Sequence, residues 1–494
     1  MKLRRFLCVA LAALMLIGTF TACGVNDEKN ENSTQDGEDA TVAETLDPAI
    51  QDALSRLTNV NWGGGDFGVL YVNDIAGYAE EVEAKADAAD QSSSAVINDA
   101  VYERNVTFEE RCQLKFVTIP VPHPEITSKV ISETQTNTGD FAIISCTASQ
   151  TASMASSGYL YNYLSMDIDY DQQWWDPGTL DFALDGNVFF MNGAHNIVDD
   201  DVTFVMMFNK KMQSEKQVAD PYTTVRNKEW TLEYFNSIIQ SVSAENGDGA
   251  WDEKDTYGFS SPSSIGNTFF YGADLKYVNN SRDVGVPELA LGDKLDKAAQ
   301  VMDLAQSIVH ENNASYIAKQ GNEAVSKDVF VEGRALFYCE AASYLRALNQ
   351  TMEGDYGVVP VPKYSKEQEN YTTWTHSIGS TMSIPTSIAD EVEKQMFAEV
   401  LETYVVLSYQ LVKPAYYDTM LTSRNVRDPD SAEMLDLIFQ NRTYDMAIYF
   451  DALGFSSLFS DCVTNNSDDF ASKYAANSKR FDRQINNILK KINK

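Results

Sequence analysis

The sequence contains no uninterrupted apolar run of about twenty residues, the length a bilayer-spanning helix needs. A transmembrane helix is therefore not expected in the mature chain. Basic residues are scarce, with 38 Lys and Arg against 72 Asp and Glu and a formal net charge of −34. So negative a surface repels phosphate backbones, and no basic patch interleaved with aromatics offsets it, so nucleic acid is not expected as a partner. Cysteine is sparse too: six in 494 residues, with no C-x-x-C pair. That excludes a compact zinc ribbon or a thioredoxin-type motif. The four histidines, His123, His195, His310 and His376, form no H-E-x-x-H, and no G-x-S-x-G elbow occurs. Carboxylates are plentiful enough that residue types alone do not exclude a glycosidase dyad. Nothing else supports catalysis, and the chain is not expected to be an enzyme.

What is present begins with Met-Lys-Leu-Arg-Arg, an apolar run from Phe6 to Phe20, and Thr21-Ala22-Cys23-Gly24. This is the order of a secretory signal peptide, residues 1–22, ahead of its cleavage site. Phe20-Thr21-Ala22-Cys23 is similar to a bacterial lipobox, with Phe20 where an aliphatic residue is usual, so Cys23 is the expected lipidation site. Removing residues 1–22 deletes Lys2, Arg4 and Arg5 and no acid, which takes the formal charge from −34 to −37. Residues 23–58 open with a polar, acidic stretch that cannot bury enough surface to fold, and they read as a flexible tether. The expected location is the outer face of a bacterial cell membrane, held by the lipid. Cys112, Cys146, Cys339 and Cys462 are then either buried thiols or one or two long-range disulfides. The apolar runs around Cys146 and Cys339 favour buried thiols.

More than four hundred residues follow the tether, enough for two domains. Strands are expected at Phe67–Val72, Cys112–Ile119, Phe141–Cys146, Val188–Asn192 and Val202–Phe208. Helical patterns at Ala95–Glu110 and Glu125–Thr134 alternate with them, which favours an α/β sheet with crossover helices. Further helices are expected at Thr231–Val242, Lys294–Val309 and Ser343–Met352, and further strands at Ala335–Cys339 and Tyr356–Val361. A strand-like stretch, Thr373–Pro385, leads into a long helix, Ile388–Tyr409. The rest is read as helical, including Ser431–Gln440 after the turn Asp428-Pro429-Asp430.

Several segments resemble extracellular solute-binding proteins of family 1, the substrate-binding lipoproteins of ABC importers, in their clostridial type. Tyr102-Glu-Arg-Asn105 with Glu109-Glu110 before Leu114-Lys-Phe116 is similar to a first-helix signature. Trp174-Trp175-Asp176, Gly186-Asn-Val-Phe-Phe190, Phe208-Asn209-Lys210 and Glu229-Trp230-Thr231-Leu232 resemble the family's middle. Phe330 to Leu348 and Asp355 to Lys363 resemble the segment before the second crossing. Each motif is weak alone; their shared order carries the resemblance. It implies a periplasmic-binding-protein-like fold: two α/β lobes joined by a hinge, a ligand cleft between them and a helix-rich C-terminus. One lobe would combine 59–195 with 380–425, the other would hold 200–375, and 426–494 would pack on the lobes. The implied function is capture of a small solute, a sugar or oligosaccharide, by hinge closure, and its delivery by a monomer to an ABC permease. A secreted carbohydrate-active enzyme and a surface adhesion or sensory receptor are the alternatives.

Ligands in open α/β sheets sit beyond the carboxyl ends of strands. That rule selects Asn73 and Asp74, then Thr147, Ser149 and Gln150, then Glu340 and Tyr344. Each could equally cap a helix or end a strand. Sugar rings pack their C–H faces on aromatics, so Trp374, in the polar setting Thr373–Ser377, is the first aromatic candidate. For Trp174 and Trp175 a packing role competes with ligand contact, as it does for Tyr271 and Tyr417. A separate acidic stretch places Asn246, Asp248, Ala250, Asp252 and Asp255 at positions 3, 5, 7, 9 and 12 of an EF-hand-like loop. Ala244 stands where the first carboxylate belongs, and Asp255 is shorter than the usual Glu. The loop is thus a candidate structural calcium site or a plain acidic turn, and no cofactor is otherwise required.

Overall fold

Strand β1 (Asp66–Val72) is apolar at nearly every position, without the alternation of a strand that has one wet face, and six of its seven residues are buried. It therefore lies inside a sheet. The computed structural model describes residues 47–57, 61–84, 93–280, 285–319, 321–387, 391–421, 429–450 and 453–492. The signal peptide, Cys23 and tether residues 23–46 lie outside the described residues; the end of the expected tether, Pro48–Arg56, is not a linker but a helix, because Ile50, Ala53 and Leu54 share a face that packs into the core.

Among the described residues thirteen further strands follow: β2 (Lys115–Val121), β3 (Ile143–Thr147), β4 (Phe190–Met191), β5 (Phe204–Asn209), β6 (Tyr257–Ser261), β7 (Val278–Asn279) and β8 (Glu288–Leu289). Then come β9 (Ser315–Ile317), β10 (Ala335–Ala341), β11 (Tyr356–Val359), β12 (Thr373–Trp374), β13 (Ser380–Ser383) and β14 (Arg442–Thr443). They build two five-stranded sheets, ordered β2-β1-β3-β13-β4 and β11-β5-β10-β6-β9, and two short ribbons, β12-β14 and β7-β8. In the first sheet β1 runs parallel to β2 and β3, while β13 is antiparallel to β3 and β4. In the second, β10, β6 and β9 are parallel and β5 is antiparallel to both β10 and β11. The fold is mixed α/β, as expected.

Helices cover both sheets for readable reasons. Leu232–Val242 buries Leu232, Phe235, Ile238, Ile239 and Val242, one face at helical spacing. Its N-cap, Thr231, accepts from the Tyr234 amide at 3.2 Å. Its axis passes so close to β6 that a Cβ on Gly258 would lie 2.2 Å from the Ile239 backbone. Helix Ser93–Cys112 packs against β2 and against Glu391–Leu407. At its end Gln113 takes a left-handed conformation, φ 50°. This turn moves the second strand's start from the expected Cys112 to Lys115; Cys112 closes a helix instead.

The chain passes between the sheets twice. Outbound, it leaves β4, forms the one-turn helix Ile197–Asp201 and enters β5; it returns from β11 through β12 to β13. The two crossings pair through an antiparallel bridge between Thr203 and Thr375 and a 3.2 Å bond from the His376 amide to the Val202 carbonyl. The strand-like stretch expected over Thr373–Pro385 is thus two short strands separated by a turn. The C-terminal helices pack against elements of the second sheet's side. Pro429–Gln440 lies on β11, Leu458–Thr464 on helix Ile265–Gly272, and Phe470–Ile492 on helix Leu295–His310. From Pro48 onward the chain forms one compact unit. Cys112, Cys146, Cys339 and Cys462 are free, buried thiols, and no described helix is long and apolar enough to cross a membrane.

Candidate functional site

A cavity of about 780 Å³ opens at the carboxyl ends of β6 and β9, where loops can carry polar groups without disturbing the sheet. The β6 loop supplies Ser263 and Ser264, and Asn267 follows in the first turn of helix Ile265–Gly272. After β9 come Ala318 and Lys319; the return crossing gives Trp374, His376 and Ser377. The opposite wall comes from the C-terminal segment, with Ser456, Ser457, Ser460, Asp461 and Thr464. Hydroxyls are the commonest polar groups of the lining, and Lys319 and Asp461 contribute one charge of each sign.

Hydrogen bonds fix these walls to each other. Ser460 and Thr464 donate to the Ser263 carbonyl at 3.4 and 3.0 Å, and the Asn267 amide donates to the Ser456 carbonyl at 2.9 Å. Ser457 donates to Asp461 at 2.8 Å, and His310 Nε2 meets the Val463 carbonyl at 2.7 Å. Trp374 is held from below: its indole N–H donates to Thr268 Oγ1 at 3.0 Å, and its ring lies parallel to Phe204 at 4.9 Å and Tyr271 at 5.9 Å. Only 3% of its surface is exposed, so it meets the cavity with a small part of the ring. His376 packs beside it at 5.4 Å, and burial lowers its pKa.

Of the residues selected from sequence, Trp374 lines this cavity. Glu340 lies near the carboxyl end of β10, on the same edge of the second sheet, with one oxygen accepting from the Ala341 amide at 2.9 Å. Burial pushes its carboxyl up to about 7, opposed by that bond and reinforced by Glu323. The others stand elsewhere. Trp174 and Trp175 are core residues, enclosed because Gly193 lets two chain segments meet closely at Trp174 and because Trp175 packs edge-on to Tyr170 at 5.4 Å. Tyr271 is fully buried beneath Trp374 and donates to Asp445 at 3.1 Å. Thr147 caps helix Ala148–Ala155, and exposed Asp74 accepts from the His123 amide at 2.6 Å. Tyr417 is half-buried against Phe439 and Lys413. Sequence reading missed the β6 loop and the C-terminal wall. Their one signal was a density of Ser and Asn, which marks any loop.

The EF-hand-like stretch folds onto itself. Both carboxylate oxygens of Asp255 accept backbone amides, from Asn246 at 2.9 Å and Asp252 at 2.6 Å. Asn246, Asp248 and Asp252 accept from Asp248, Ala250 and Lys254 amides at 2.8–3.0 Å. The ligand-type side chains thus serve as turn caps. Among the described residues no three of His, Cys, Asp or Glu are grouped as a metal site.

The crossings carry a buried charge network. Asp199, Asp200 and Asp201 end the one-turn helix; Arg442 of β14 bonds Asp199 at 3.2 Å, Asp200 at 2.6 Å and Asp176 at 2.6 Å. Lys413 pairs with Asp200, and Arg346 pairs with Asp201 and, at 2.9 Å, with Glu80. Tyr444 and Tyr416 hydroxyls complete the shells of Asp199 and Asp201. Glu81 accepts from the Ile197 and Val198 amides at 2.9 and 3.2 Å and from Ser145 and Ser380 at 2.8 and 2.9 Å, which ties both crossings to the first sheet.

A family model described as bacterial extracellular solute-binding protein matches residues 105–401. Among solved structures, the GacH receptor of Streptomyces glaucescens, determined unliganded and with acarbose, aligns with a TM-score of 0.52 at 14% identity over 86% of this chain and 99% of its own. The maltose/maltodextrin-binding domain MalE from Bdellovibrio bacteriovorus, bound to maltotriose, gives 0.51 at 13% over 85% and 100%. UgpB from Mycobacterium tuberculosis, in complex with glycerophosphocholine, gives 0.52 at 14% over 86% and 99%. At these identities the likeness is one of fold. No curated protein matches the chain.

Proposed function

Because the chain belongs to the bacterial extracellular solute-binding proteins, we propose that it captures a sugar or oligosaccharide and hands it to an ABC permease. The observation that carries this reading is the hydroxyl-lined cavity at the carboxyl ends of β6 and β9, with Trp374 in its wall. Serine and threonine hydroxyls both donate and accept, which suits a solute whose own hydroxyls do the same. In this reading residues 59–195 with 380–425 form one lobe and 200–375 the other, with 426–494 packed on them. The crossings act as the hinge, and the closed form docks on the permease. The protein works as a monomer, needs no cofactor, catalyses no reaction, and is anchored through a lipid on Cys23 at the outer face of the membrane. The GacH and MalE structures, whose ligands are acarbose and maltotriose, support a saccharide in particular.

The test is thermal melting of the purified protein against glucose, maltose, maltotriose, cellobiose, short peptides and glycerophosphocholine. A ligand that binds only the folded state raises the melting temperature by mass action. A saccharide is expected to give the largest rise. A rise with peptide or glycerophosphocholine and none with any saccharide would overturn the carbohydrate assignment while leaving solute binding in place.

A further inference from the structure

The cavity described above is assembled from two parts of the chain with different standing. Ser263, Ser264, Asn267, Lys319 and Trp374 lie within the residues shared with the family, 105–401; the opposite wall, Ser456 to Asn465, lies beyond them. We infer that the short helix Leu458–Thr464 and the turn before it form a selectivity wall that decides which polyhydroxylated solute this chain accepts.

Three observations carry this. First, the wall is seated on the β6 loop. Gly266 meets Ser460 so closely that a Cβ there would lie 2.6 Å from the Ser460 Cα, and the Ser460, Thr464 and Asn267 bonds fasten both sides of that contact. Second, the wall combines an enclosed seat with exposed groups: Ser460 is buried, whereas Ser457, Asp461, Thr464 and Asn465 are exposed, with the Thr464 hydroxyl held on the Ser263 carbonyl and the Asn465 amide on the Asp461 carbonyl. Third, the wall is chemically distinct from what it faces. Asp461, oriented by the Ser457 hydroxyl at 2.8 Å, is the carboxylate of the cavity lining, and Lys319 is its ammonium. A carboxylate accepts two sugar hydroxyls at once, which makes it the group most sensitive to their spacing. Equal and opposite charges, with hydroxyls the commonest polar groups of the lining, favour a neutral, polyhydroxylated solute over an ionic one.

This rests on the solute-binding reading of the same cavity, and the experiment separates the two. Affinities for glucose, maltose and maltotriose are measured by calorimetry for the unaltered protein and for Asp461→Asn and Ser457→Ala. Both positions are exposed, so the unliganded melting temperature is expected to hold. The ratio of the maltotriose to the glucose dissociation constant is expected to change by about fivefold or more in each variant, the effect of losing one hydrogen bond. Hydrogen exchange gives a second readout: residues 456–465 are expected to gain protection when the best-bound saccharide is added. An unchanged ratio together with no added protection there, in a protein that binds saccharide, overturns the wall and leaves the function standing. Failure of every saccharide to bind the unaltered protein overturns both.

Discussion

Arg442 Nη1 lies 3.2 Å from Asp199 Oδ2, although 243 residues separate the two along the chain. The same guanidinium reaches Asp200 and Asp176, so one cation from the C-terminal part holds two carboxylates of the outbound crossing and a third that caps the turn Pro177–Phe182. Burial lifts the Asp199 carboxyl to about 6 against the pull of Arg442. Deleting the cation leaves those charges enclosed without their main partner, a change that costs about 3–5 kcal/mol in comparable buried pairs. Arg442→Met is therefore expected to lose stability of that order in urea unfolding. Arg442→Lys should recover only part of it, because a single ammonium cannot bridge three carboxylates as a planar fork does. Full recovery by lysine would show that charge alone matters at this point.

Glu81 makes a second joint of the same region, with four donors on one carboxylate. Burial pushes its pKa up from 4.5 to about 7, opposed by the bonds from Val198, Ser145, Ser380 and Ile197. With the folded value above the unfolded one, the folded state holds the proton more tightly. Stability from this group is then greatest below about 4.5 and declines as pH rises toward about 7. Glu81→Gln keeps an acceptor for the Ile197 and Val198 amides only by turning its NH2 toward Ser145, whose hydroxyl must then accept rather than donate. At pH 7.5 it is expected to cost about 1–3 kcal/mol. It should also remove the share of Glu81 in the decline between pH 4.5 and 7, leaving the shares of Asp199 and Glu340, read from melting temperatures across that range.

His195 pulls the other way. Burial, then the nearby Arg104 and Lys413 charges, lower its pKa from 6.5 to about 3; Trp175 and Tyr404 rings pack at 6.1 and 6.3 Å. The unfolded chain takes the proton first, so stability is fully present above about 6.5 and is lost as pH falls toward about 3. His195→Gln is expected to weaken that acid loss by several kcal/mol. Because the Glu81 and His195 slopes overlap with opposite sign, a flat profile in the unaltered protein says nothing about either. Each single variant should expose the other's slope, and two variants with identical profiles would refute both assignments.

The strands that could be read from sequence were those whose burial is carried by their own side chains. β1, β5, β10 and β11 are apolar along most of their length, and the reading placed all four within a few residues. β6 was not read, because Gly258 and two serines give it little apolar character; its place is set by the helix that lies against it. The site divides in the same way. Trp374 could be proposed from its polar flanks, but residue type does not distinguish it from Trp174, Trp175 or Tyr271, which the packing encloses. The C-terminal wall depends on Ser263 meeting Thr464, 201 residues away, and no local pattern in either segment announces such a contact.

Gly258 offers a test of how far the second sheet depends on that close approach. Its φ is not in the left-handed region, so an alanine there is not strained by backbone conformation. The obstacle is space: the added carbon would sit 2.2 Å from both Cα and O of Ile239, atoms of the helix backbone that no rotamer change can move aside. Either β6 or helix Leu232–Val242 must shift, and overpacking of this kind costs about 1–3 kcal/mol or more. Gly258→Ala is expected to lower the urea midpoint accordingly. It should also change the fluorescence of buried Trp230, which packs on Phe235 of that helix at 5.6 Å and on Phe337 of β10 at 5.3 Å. Gly292, with open space around it and no left-handed φ, is the matched control, and Gly292→Ala should stay within about 0.5 kcal/mol of the unaltered protein. Equal stability of the two variants would mean that the helix is seated more loosely on β6 than the 2.2 Å approach requires.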